Sequence, residues 1–425
     1  MFINSGAEGG RVCAAENSWG AHCLNVTRVM AISAAALVPA STAATSVVIA
    51  LMLVSWFVSG RVVETLRMAA AQRFGQALLV FLALLVVDML YSVAAWEESW
   101  DSLWAWRKLV LGLIVLGLFT DETWKLRMLK AFLVVSTIGL IASCIGWLGL
   151  IPSKHGHSAG VFFTNHATQG ITFAVAALCC LELGRNAGPR LQNLLRVAAF
   201  LFAVNVVFIS TSRSAYVALV CVALVWGLGR LGWRRLPLVT GALAVLVVMA
   251  FSLSSTLRER VQQGIDEVHN YQSSPEVTSA GIRIVFWNNT LGLVAERPVL
   301  GYGTGGFAKA YSDRFALPEL GWRGLPATDP HNQYLFIAVE NGLLGLAVFM
   351  AILVAAFREA CGPGVYRGVI RGVLLAWCVT SLFNSHFRTF PEGHLIWLLA
   401  GAMLARVPRN DSALMRPAQV LDRTA

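Results

Sequence analysis

Two arginines and one histidine in this sequence suggest chemistry that joins anion binding to proton transfer. Arg213 lies in STSRSAYVAL (210–219), where Ser210, Thr211 and Ser212 offer a cap for a helix that starts at about Arg213. A cation in the first helical turn opposes the helix macrodipole unless an anion lies nearby. Together with the unpaired N–H groups of the helix start, Arg213 therefore predicts an anion site.

His331 repeats this arrangement in ATDPHNQYLFIAVENGLLGLAVFM (327–350). The preceding Thr-Asp-Pro supplies a cap and a proline, so the imidazole is predicted to lie in the first turn of an apolar helix. The positive helix end lowers the pKa of the imidazole and favours its neutral form, which is a competent general base. Asp329 is near enough in sequence to orient it. The alternative is that His331 only caps the helix or lies at the membrane interface.

Arg283 interrupts the apolar face of a helix predicted over 279–296, between a Thr/Ser start and a Pro stop. Two interpretations remain open: the side chain snorkels to water, or it faces the same cavity as Arg213. Arg258 and Arg260, in TLRERVQQ (256–263), are typical of a solvated face, and substrate contact is their alternative role.

The elements that must position these residues are membrane helices. Of the 425 residues, 57% are hydrophobic and 13% are charged, against roughly 25% charged in a soluble domain. The composition predicts an all-α polytopic membrane protein with about twelve transmembrane helices. The predicted spans are 29–41, 44–60, 74–95, 104–119, 128–150, 167–184, 194–209, 213–229, 236–252, 332–356, 368–385 and 391–406.

Lys and Arg residues concentrate in alternate short loops, which predicts that both termini are cytoplasmic. These basic loops lie at 61–73, 125–130, 185–196, 230–235 and 358–371. The net charge of +10 is therefore mostly a topology signal, and no nucleic-acid partner is predicted. The chain divides into a cytoplasmic arm (1–28), spans one to nine (29–252), a periplasmic loop with short helices (253–331), spans ten to twelve (332–406) and a cytoplasmic tail (407–425).

The long external loop between spans nine and ten is the segment most typical of a functional region. Helical spacing of its apolar residues predicts short ordered helices on the outer membrane face rather than disorder. Across the same face, His386 and Arg388 in FNSHFRTFPEGH (383–394) are candidates for the entrance of a substrate. Within the predicted spans, Glu340 and Asp88 are buried acids; for Glu340 the following Asn-Gly favours a structural hydrogen-bonding role in a polar bundle interior.

Three motifs in order along the chain resemble those of the O-antigen ligase family, the Wzy_C-type membrane glycosyltransferases. They are TSRSAY (211–216), GIRIVFWNNT…ERPVLGYGTGGF (281–307) and HNQYLFIAVENGLLGL (331–346). The resemblance covers the whole chain, including the long loop before the His-Asn-x-Tyr-Leu helix. One departure is FFTNHATQG (162–170), where the family often has an Asn-Pro-Asn-like turn, so that His166 has no assigned role.

This resemblance implies transfer of a glycan from an undecaprenyl-diphosphate carrier to the lipid A core, at the periplasmic face of the bacterial inner membrane. The functional arginines of the family fall on Arg213 and Arg283, and its essential histidine on His331. Asn332 and Tyr334, in the motif that His331 begins, are further substrate-binding candidates. The residues themselves agree, because no external loop holds an Asp-x-Asp pair for a metal-bound sugar nucleotide or two glycosidase-like carboxylates. We therefore predict neither a metal nor another cofactor.

Three other functions compete with this one. A glycan polymerase uses the same donor with a second carrier-linked glycan as acceptor, and a protein O-oligosaccharyltransferase shares the fold but commonly has a larger C-terminal external region. A twelve-span secondary transporter would show an internal repeat and polar groups near the midplane. No repeat is evident in this sequence, and its notable cations are predicted to lie at one face.

Overall fold

The structure is a computed structural model that describes residues 6–151 and 159–407. Regular structure in these ranges is entirely helical, which confirms the predicted all-α class. The α-helices are α1 (Gly6–Leu37), α2 (Thr42–Val58), α3 (Val62–Ala70), α4 (Arg73–Asp88), α5 (Trp96–Ala105), α6 (Lys108–Leu118), α7 (Glu122–Trp147), α8 (His166–Leu183), α9 (Pro189–Phe208), α10 (Arg213–Leu231), α11 (Leu236–Leu253), α12 (Ser255–Asn270), α13 (Ser279–Glu296), α14 (Gly306–Phe315), α15 (Gln333–Glu359), α16 (Val365–Thr380) and α17 (Phe390–Leu404). Four short 3₁₀ turns among the described residues are Met89–Tyr91, Gly184–Asn186, Trp233–Arg235 and Pro318–Gly324.

Each of the twelve predicted spans coincides with one of these helices. Within the described part of the chain, 7 helices are long and apolar enough to cross a membrane, or 8 if α2 and α3, bent by 104°, form one broken span. The shortest helix at a predicted span, α6, has 11 residues, whereas a perpendicular crossing needs about 20. The chain is a polytopic membrane protein, and twelve crossings stay a prediction.

The first helix begins well before the first predicted span. α1 begins at Gly6 and continues into the first predicted span, so most of the predicted arm of residues 1–28 is helical and continuous with that span. Of the predicted tail, residues 408–425 lie outside the described residues.

The helices pack around α8, the most deeply buried candidate span. Most of its side chains are small or apolar. Gly170 lets α8 approach α10 because a Cβ there would lie 2.2 Å from that of Ala215. By contrast, α11 is the most exposed candidate span and presents nearly all its side chains to the lipid. A helix that is apolar all round belongs in such a setting. The bundle thus has a buried centre and a lipid-facing periphery.

Residues 254–332 form helices at one end of the bundle, which we call the loop face. α12, α13 and α14 lie there, and α13 has the bounds that its sequence pattern predicts. α13, α14 and the start of α15 share a small aromatic core that includes Phe286, Phe307, Tyr311 and Phe336. The prediction of ordered short helices in this segment is therefore confirmed, with α14 starting only after the glycine-rich turn.

Span ten is broken where the sequence has Asn-Gly. Gly342 in α15 has φ +65° and ψ −172°, so the helix is interrupted there. The carbonyls of Val339 and Glu340 accept hydrogen bonds from the N–H groups of Tyr302 (2.8 Å) and Gly303 (2.7 Å) instead of from their own helix. The N–H groups of Leu343 and Leu344 in turn donate to the carbonyls of Pro298 (2.8 Å) and Val299 (3.3 Å). Residues 298–303 thereby satisfy the backbone groups that the break exposes.

This docking explains the glycine-rich motif that precedes α14. Gly301 has φ +70°, and a Cβ there would lie 2.4 Å from the carbonyl oxygen of Val339. Gly303 packs equally closely against Ser92, in the segment after α4. Only glycine allows this approach, because a positive φ is unfavourable for other residues and their Cβ would clash.

Glu340 and Asp88, the two acids that the sequence analysis singles out, have hydrogen-bonding partners around this junction. Glu340 accepts a hydrogen bond from the Ser102 hydroxyl (3.2 Å) and others from the N–H groups of Gly305 and Phe307. Asp88 accepts one from the amide of Asn341 (2.7 Å). The structural role favoured for Glu340 agrees with these contacts, although its neighbours lie at a helix break rather than in a regular polar interior.

Candidate active site

His331 lies in a tight turn just before α15. Its φ of +55° is the one positive value that a non-glycine residue takes in the described ranges. The preceding Asp329 accepts a hydrogen bond from the His331 N–H (2.6 Å), and the Asn332 side chain caps the helix by accepting from Tyr334 N–H (3.0 Å) and Leu335 N–H (3.1 Å). The prediction that His331 occupies the first helical turn is therefore wrong, because Asn332 takes the N-cap position.

The His331 imidazole is half-buried and stacks on Phe286 of α13, with ring centroids 6.3 Å apart and planes inclined by 16°. Burial lowers the pKa of His331, the Asp329 carboxylate opposes this, and the Arg283 guanidinium lowers it further. The net direction is below the ordinary value, which favours a neutral imidazole at pH 7. The direction matches the expectation from the sequence, but burial rather than the helix end is the main cause.

Arg213 begins α10, as the sequence predicts, with Ser212 as the N-cap residue. Its two terminal nitrogens donate to the Glu267 carboxylate of α12, each at 3.2 Å. The side chain of Arg213 remains 36% exposed, whereas that of Glu267 is 8% exposed. The anion expected near Arg213 is thus present, and it is a carboxylate of the protein itself.

Arg283 lies on the first turns of α13, against the loop between α16 and α17. Its Nε donates to the carbonyl of Phe383 (3.2 Å), and its Nη1 donates to the carbonyl and hydroxyl of Ser279 (both 2.5 Å). Burial and the charge of Arg213 lower the pKa of Arg283, and the charge of Glu267 opposes them. Arg283 is therefore held against the loop between α16 and α17 rather than snorkelling away.

Contacts with α13 place the three predicted residues near one another. Glu267 accepts hydrogen bonds from Arg213 and from the Ala280 N–H of α13, Arg283 lies on that helix, and Phe286 of α13 stacks on His331. The charge of Arg213 acts on Arg283, and that of Arg283 acts on His331. Coulomb interactions of this kind decline with distance and with solvent screening. The structure thus brings Arg213, Arg283 and His331 together at the loop face, with Arg283 as the common neighbour.

His386 is buried in the loop between α16 and α17. Burial lowers its pKa, while Glu392 and Asp329 raise it and Arg283 lowers it. Its Nε2 lies 3.4 Å from the amide of Asn384, which also donates to the Ser214 hydroxyl (3.1 Å) of α10. His386 therefore lies behind the site rather than on its surface.

Arg388 lies between the same loop and the start of α15. Its guanidinium carbon is 4.5 Å from the centre of the Phe336 ring, and its Nη2 donates to the Ser102 hydroxyl (3.4 Å). The backbone carbonyl of Arg388 accepts a hydrogen bond from the buried Lys108 ammonium. Arg388 therefore contacts three helices of the bundle, α5, α6 and α15.

The remaining substrate-binding candidates divide by position. Asn332 caps α15 as described, and the Tyr334 hydroxyl donates to the carbonyl of Cys378 (2.8 Å), so both have structural partners. Arg260 donates to Gln263 (2.9 Å) on its own helix. Arg258 lines an open cleft of about 720 Å³ along α12 that also reaches Glu267, two and a half turns or about 13 Å further along the helix.

Sequence reasoning missed Glu267, since 54 positions separate it from Arg213 and nothing in its own segment marks it. It also left His166 without a role. The structure places His166 at the start of α8, with Nδ1 3.0 Å from the Thr211 hydroxyl. His166 thus adjoins the segment that leads into Arg213. The sequence Thr-Asn-His (164–166) is typical of a capped helix start. This pattern is the one signal that could have placed His166 at the beginning of a helix.

Metal ligands are not grouped at this site. Among residues 6–151 and 159–407, no set of three or more His, Cys, Asp or Glu side chains is arranged to hold a metal ion. The chemistry available from the described residues is therefore the binding of an anion by two arginines, beside an imidazole that is neutral at pH 7.

Comparison with known proteins connects this site to a family. The model of the O-antigen ligase family (Wzy_C) matches residues 198–350, a range that includes Arg213, Arg283 and His331. An O-antigen ligase of Salmonella typhimurium strain LT2 is 23% identical over 338 residues, which cover 75% of this chain and 76% of that protein. An uncharacterized protein of Haemophilus influenzae strain Rd is 25% identical over 150 residues, 30% of this chain and 37% of that protein. Residues 198–350 therefore match the O-antigen ligase domain, and the chain as a whole is similar to an O-antigen ligase.

Proposed function

We propose that this protein is an O-antigen ligase, which transfers a glycan from undecaprenyl diphosphate to a hydroxyl group of the lipid A core. The loop face would then be the periplasmic face of the bacterial inner membrane, with both termini in the cytoplasm. The observation that carries the proposal is the grouping of Arg213, Arg283 and His331 at the loop face, inside the range that matches the family.

The two arginines hold the diphosphate of the donor in this proposal. The ion pair with Glu267 occupies one N–H on each terminal nitrogen of Arg213, and a guanidinium has five N–H groups. About three N–H groups of Arg213 therefore remain for phosphate oxygens. Arg283 adds a second cation that burial has partly stripped of water, so its interaction with a developing negative charge is strong.

His331 is the general base. It removes the proton from the acceptor hydroxyl while the hydroxyl oxygen forms a bond to the anomeric carbon. The bond between this carbon and the diphosphate oxygen breaks, and undecaprenyl diphosphate departs with the electron pair. A single displacement inverts the anomeric centre. Because the leaving group is already good and the arginines stabilise it, the proposed reaction needs no metal ion.

A reconstituted transfer reaction tests this proposal. Purified wild-type, His331→Ala and His269→Ala proteins are each mixed with undecaprenyl-diphosphate-linked glycan and lipid A core, with a chelator present, and products are followed on a gel. His269 is an exposed histidine on α12 and serves as the matched control. Loss of a general base lowers the rate by about 10²- to 10⁴-fold, and the control variant is expected to keep the wild-type rate.

Two results would contradict the proposal. A His331→Ala protein with a rate within about twofold of wild type would remove the assigned base, because that loss is far below a general-base effect. Wild-type protein that extends a second carrier-linked glycan and leaves the core unmodified would instead identify a polymerase.

A further inference from the structure

Glu267 is the one acidic side chain that pairs with Arg213 in the described part of the chain. The contact is bidentate, with both carboxylate oxygens 3.2 Å from separate terminal nitrogens. Such a pair fixes the plane of a guanidinium as well as its position. The orientation of Arg213 is therefore set by α12, a helix that the sequence motifs of this family leave out.

The backbone of α12 is shaped for this contact. Gly264 lies one turn before Glu267 and directly against the guanidinium of Arg213. A Cβ at Gly264 would lie 3.2 Å from Cζ and 3.3 Å from Nε of Arg213, tighter than ordinary van der Waals contact. Glycine at this position lets the flat side of the guanidinium rest on the helix while Glu267 holds one edge.

Glu267 also contacts the helix that carries Arg283. Its Oε2 accepts a hydrogen bond from the N–H of Ala280 (2.8 Å), in the first turn of α13. The positive end of α13 favours a carboxylate at this place. One side chain thus connects α10, α12 and α13, and with them the two arginines of the site.

The charge of Glu267 balances the two arginines. Burial raises the pKa of Glu267, but hydrogen bonds from Arg213 and Ala280 outweigh burial and bring the pKa below its ordinary value. The carboxylate is therefore ionised at neutral pH and offsets the repulsion between Arg213 and Arg283. Without it, two cations close together would separate or turn toward water.

We infer that Glu267 is a positioning residue for the diphosphate of the donor: it fixes Arg213 by one edge and leaves the other edge to bind phosphate oxygens. This role rests on the proposed function. Pre-organisation of this kind reduces the conformational entropy that the arginine side chain loses when the substrate binds. Glu267 acts through Arg213 and touches no reacting atom.

Binding of the carrier lipid tests this role apart from glycan transfer. Wild-type, Glu267→Gln and Asp266→Asn proteins in detergent are titrated with undecaprenyl diphosphate, and binding is followed by the shift in thermal unfolding midpoint. Asp266→Asn makes the same charge change on the next residue of α12, whose carboxylate pairs with Gln262. We expect Glu267→Gln to raise the Kd about tenfold, a free-energy loss of about 1.4 kcal/mol, and Asp266→Asn to leave it unchanged.

A double-mutant cycle separates positioning from general destabilisation. If Glu267 acts through Arg213, then Glu267→Gln has no further effect on carrier binding in an Arg213→Ala background. In transfer assays, Glu267→Gln should raise the KM for the donor and leave the KM for the lipid A core unchanged. A misfolded fraction would instead lower kcat alone.

The outcomes distinguish the two proposals. Tighter carrier binding by Glu267→Gln would overturn the inference, because Glu267 would then compete with phosphate for Arg213. Equal binding by wild type and Glu267→Gln, or an equal loss in the Arg213→Ala background, would also overturn it while the proposed function stands. Wild-type protein that binds no undecaprenyl diphosphate would contradict the proposed function itself, and the role of Glu267 with it.

Discussion

His331 combines a strained backbone with a half-buried imidazole. A left-handed conformation costs a non-glycine residue roughly 1–2 kcal/mol, and such strain persists where surrounding contacts impose it. Here the contacts are the Asp329 carboxylate on the His331 N–H and the Phe286 ring on the imidazole. The turn aims the side chain away from α15 and toward α13, where Arg283 lies.

Substitution of His331 can therefore separate chemistry from stability. Asn tolerates the left-handed region better than Ala does, so His331→Asn should unfold at a higher temperature than His331→Ala. The free energies of unfolding of the two variants are expected to differ by about 1 kcal/mol, as measured by thermal unfolding in detergent. Both variants should lose transfer. Equal unfolding temperatures would mean that the turn relaxes in the variants.

The pH dependence of transfer depends on the same residue. Because the pKa of His331 lies below its ordinary value, the neutral base persists until the pH falls through this lowered pKa. The acid limb of the rate profile should therefore lie below about pH 6.5, the ordinary histidine value. Since the Asp329 charge raises the pKa of His331, Asp329→Asn should shift that limb to lower pH. A shift to higher pH would contradict the assignment.

Local sequence patterns predicted the position of a residue well only where neighbouring residues determine the local structure. The start of α10 at Arg213 lies where the Ser-Thr-Ser segment predicts it, although the Ser212 side chain makes no cap hydrogen bond. The bounds of α13 follow from the Thr278 cap and a proline that lie within a few residues. The turn at His331 was misjudged because both His331 and Asn332 follow a proline and either could begin a helix. Glu267 could not be found at all, since only the fold brings it to Arg213.

α15 shows how two distant motifs become one structural element. The Asn-Gly break and the segment 298–303 exchange four backbone hydrogen bonds, so each motif completes the other. The sequence located this helix but not its break, because an apolar run with one Asn-Gly is also typical of a regular helix with a polar face. The break depends on a partner about 40 residues away, which periodicity does not detect.

Gly342→Ala should disrupt this junction. Gly342 has φ +65°, and a Cβ there would lie 2.0 Å from the carbonyl oxygen of Val299. We expect a loss of about 2 kcal/mol or more from the backbone strain and the clash, seen as a lower thermal unfolding temperature and faster proteolysis within residues 254–332. The matched control is Gly241→Ala in α11, where a Cβ meets nothing within 4 Å.

That control should be neutral or stabilising by up to about 1 kcal/mol, because Ala is the better helix former. Unchanged proteolysis in Gly342→Ala would show that residues 298–303 remain docked without the glycine.

The whole molecule has its predicted catalytic residues at one end and basic loops at the other. α15 connects these ends, and its 27 residues correspond to about 40 Å of helix. The sequence predicted the all-α class and a helix at each predicted span, but not that the first helix begins at Gly6. The number of crossings is harder to predict because short helices such as α6 are buried within the bundle and are not matched in length to the bilayer.

Labelling from the two sides tests the predicted orientation. Exposed Cys361, after α15, and a Ser273→Cys variant of the exposed loop between α12 and α13 lie at opposite ends of the molecule. A membrane-impermeant maleimide should label Ser273→Cys in intact spheroplasts and Cys361 only after the membrane is opened. Labelling of Cys361 from outside would reverse the orientation.

The break in α15 also constrains how the protein is made. A span that enters the lipid with Gly342 in its observed conformation carries two unpaired carbonyls and two unpaired N–H groups, each costly in hydrocarbon. Within the described ranges, residues 298–303, which precede this span in the chain, satisfy them. In the proposed orientation, with the loop face in the periplasm, the glycine-rich segment is translocated first and meets span ten as that span leaves the translocon. Assembly of the proposed active site would then depend on correct insertion of span ten, and a wrongly inserted chain would assemble no site.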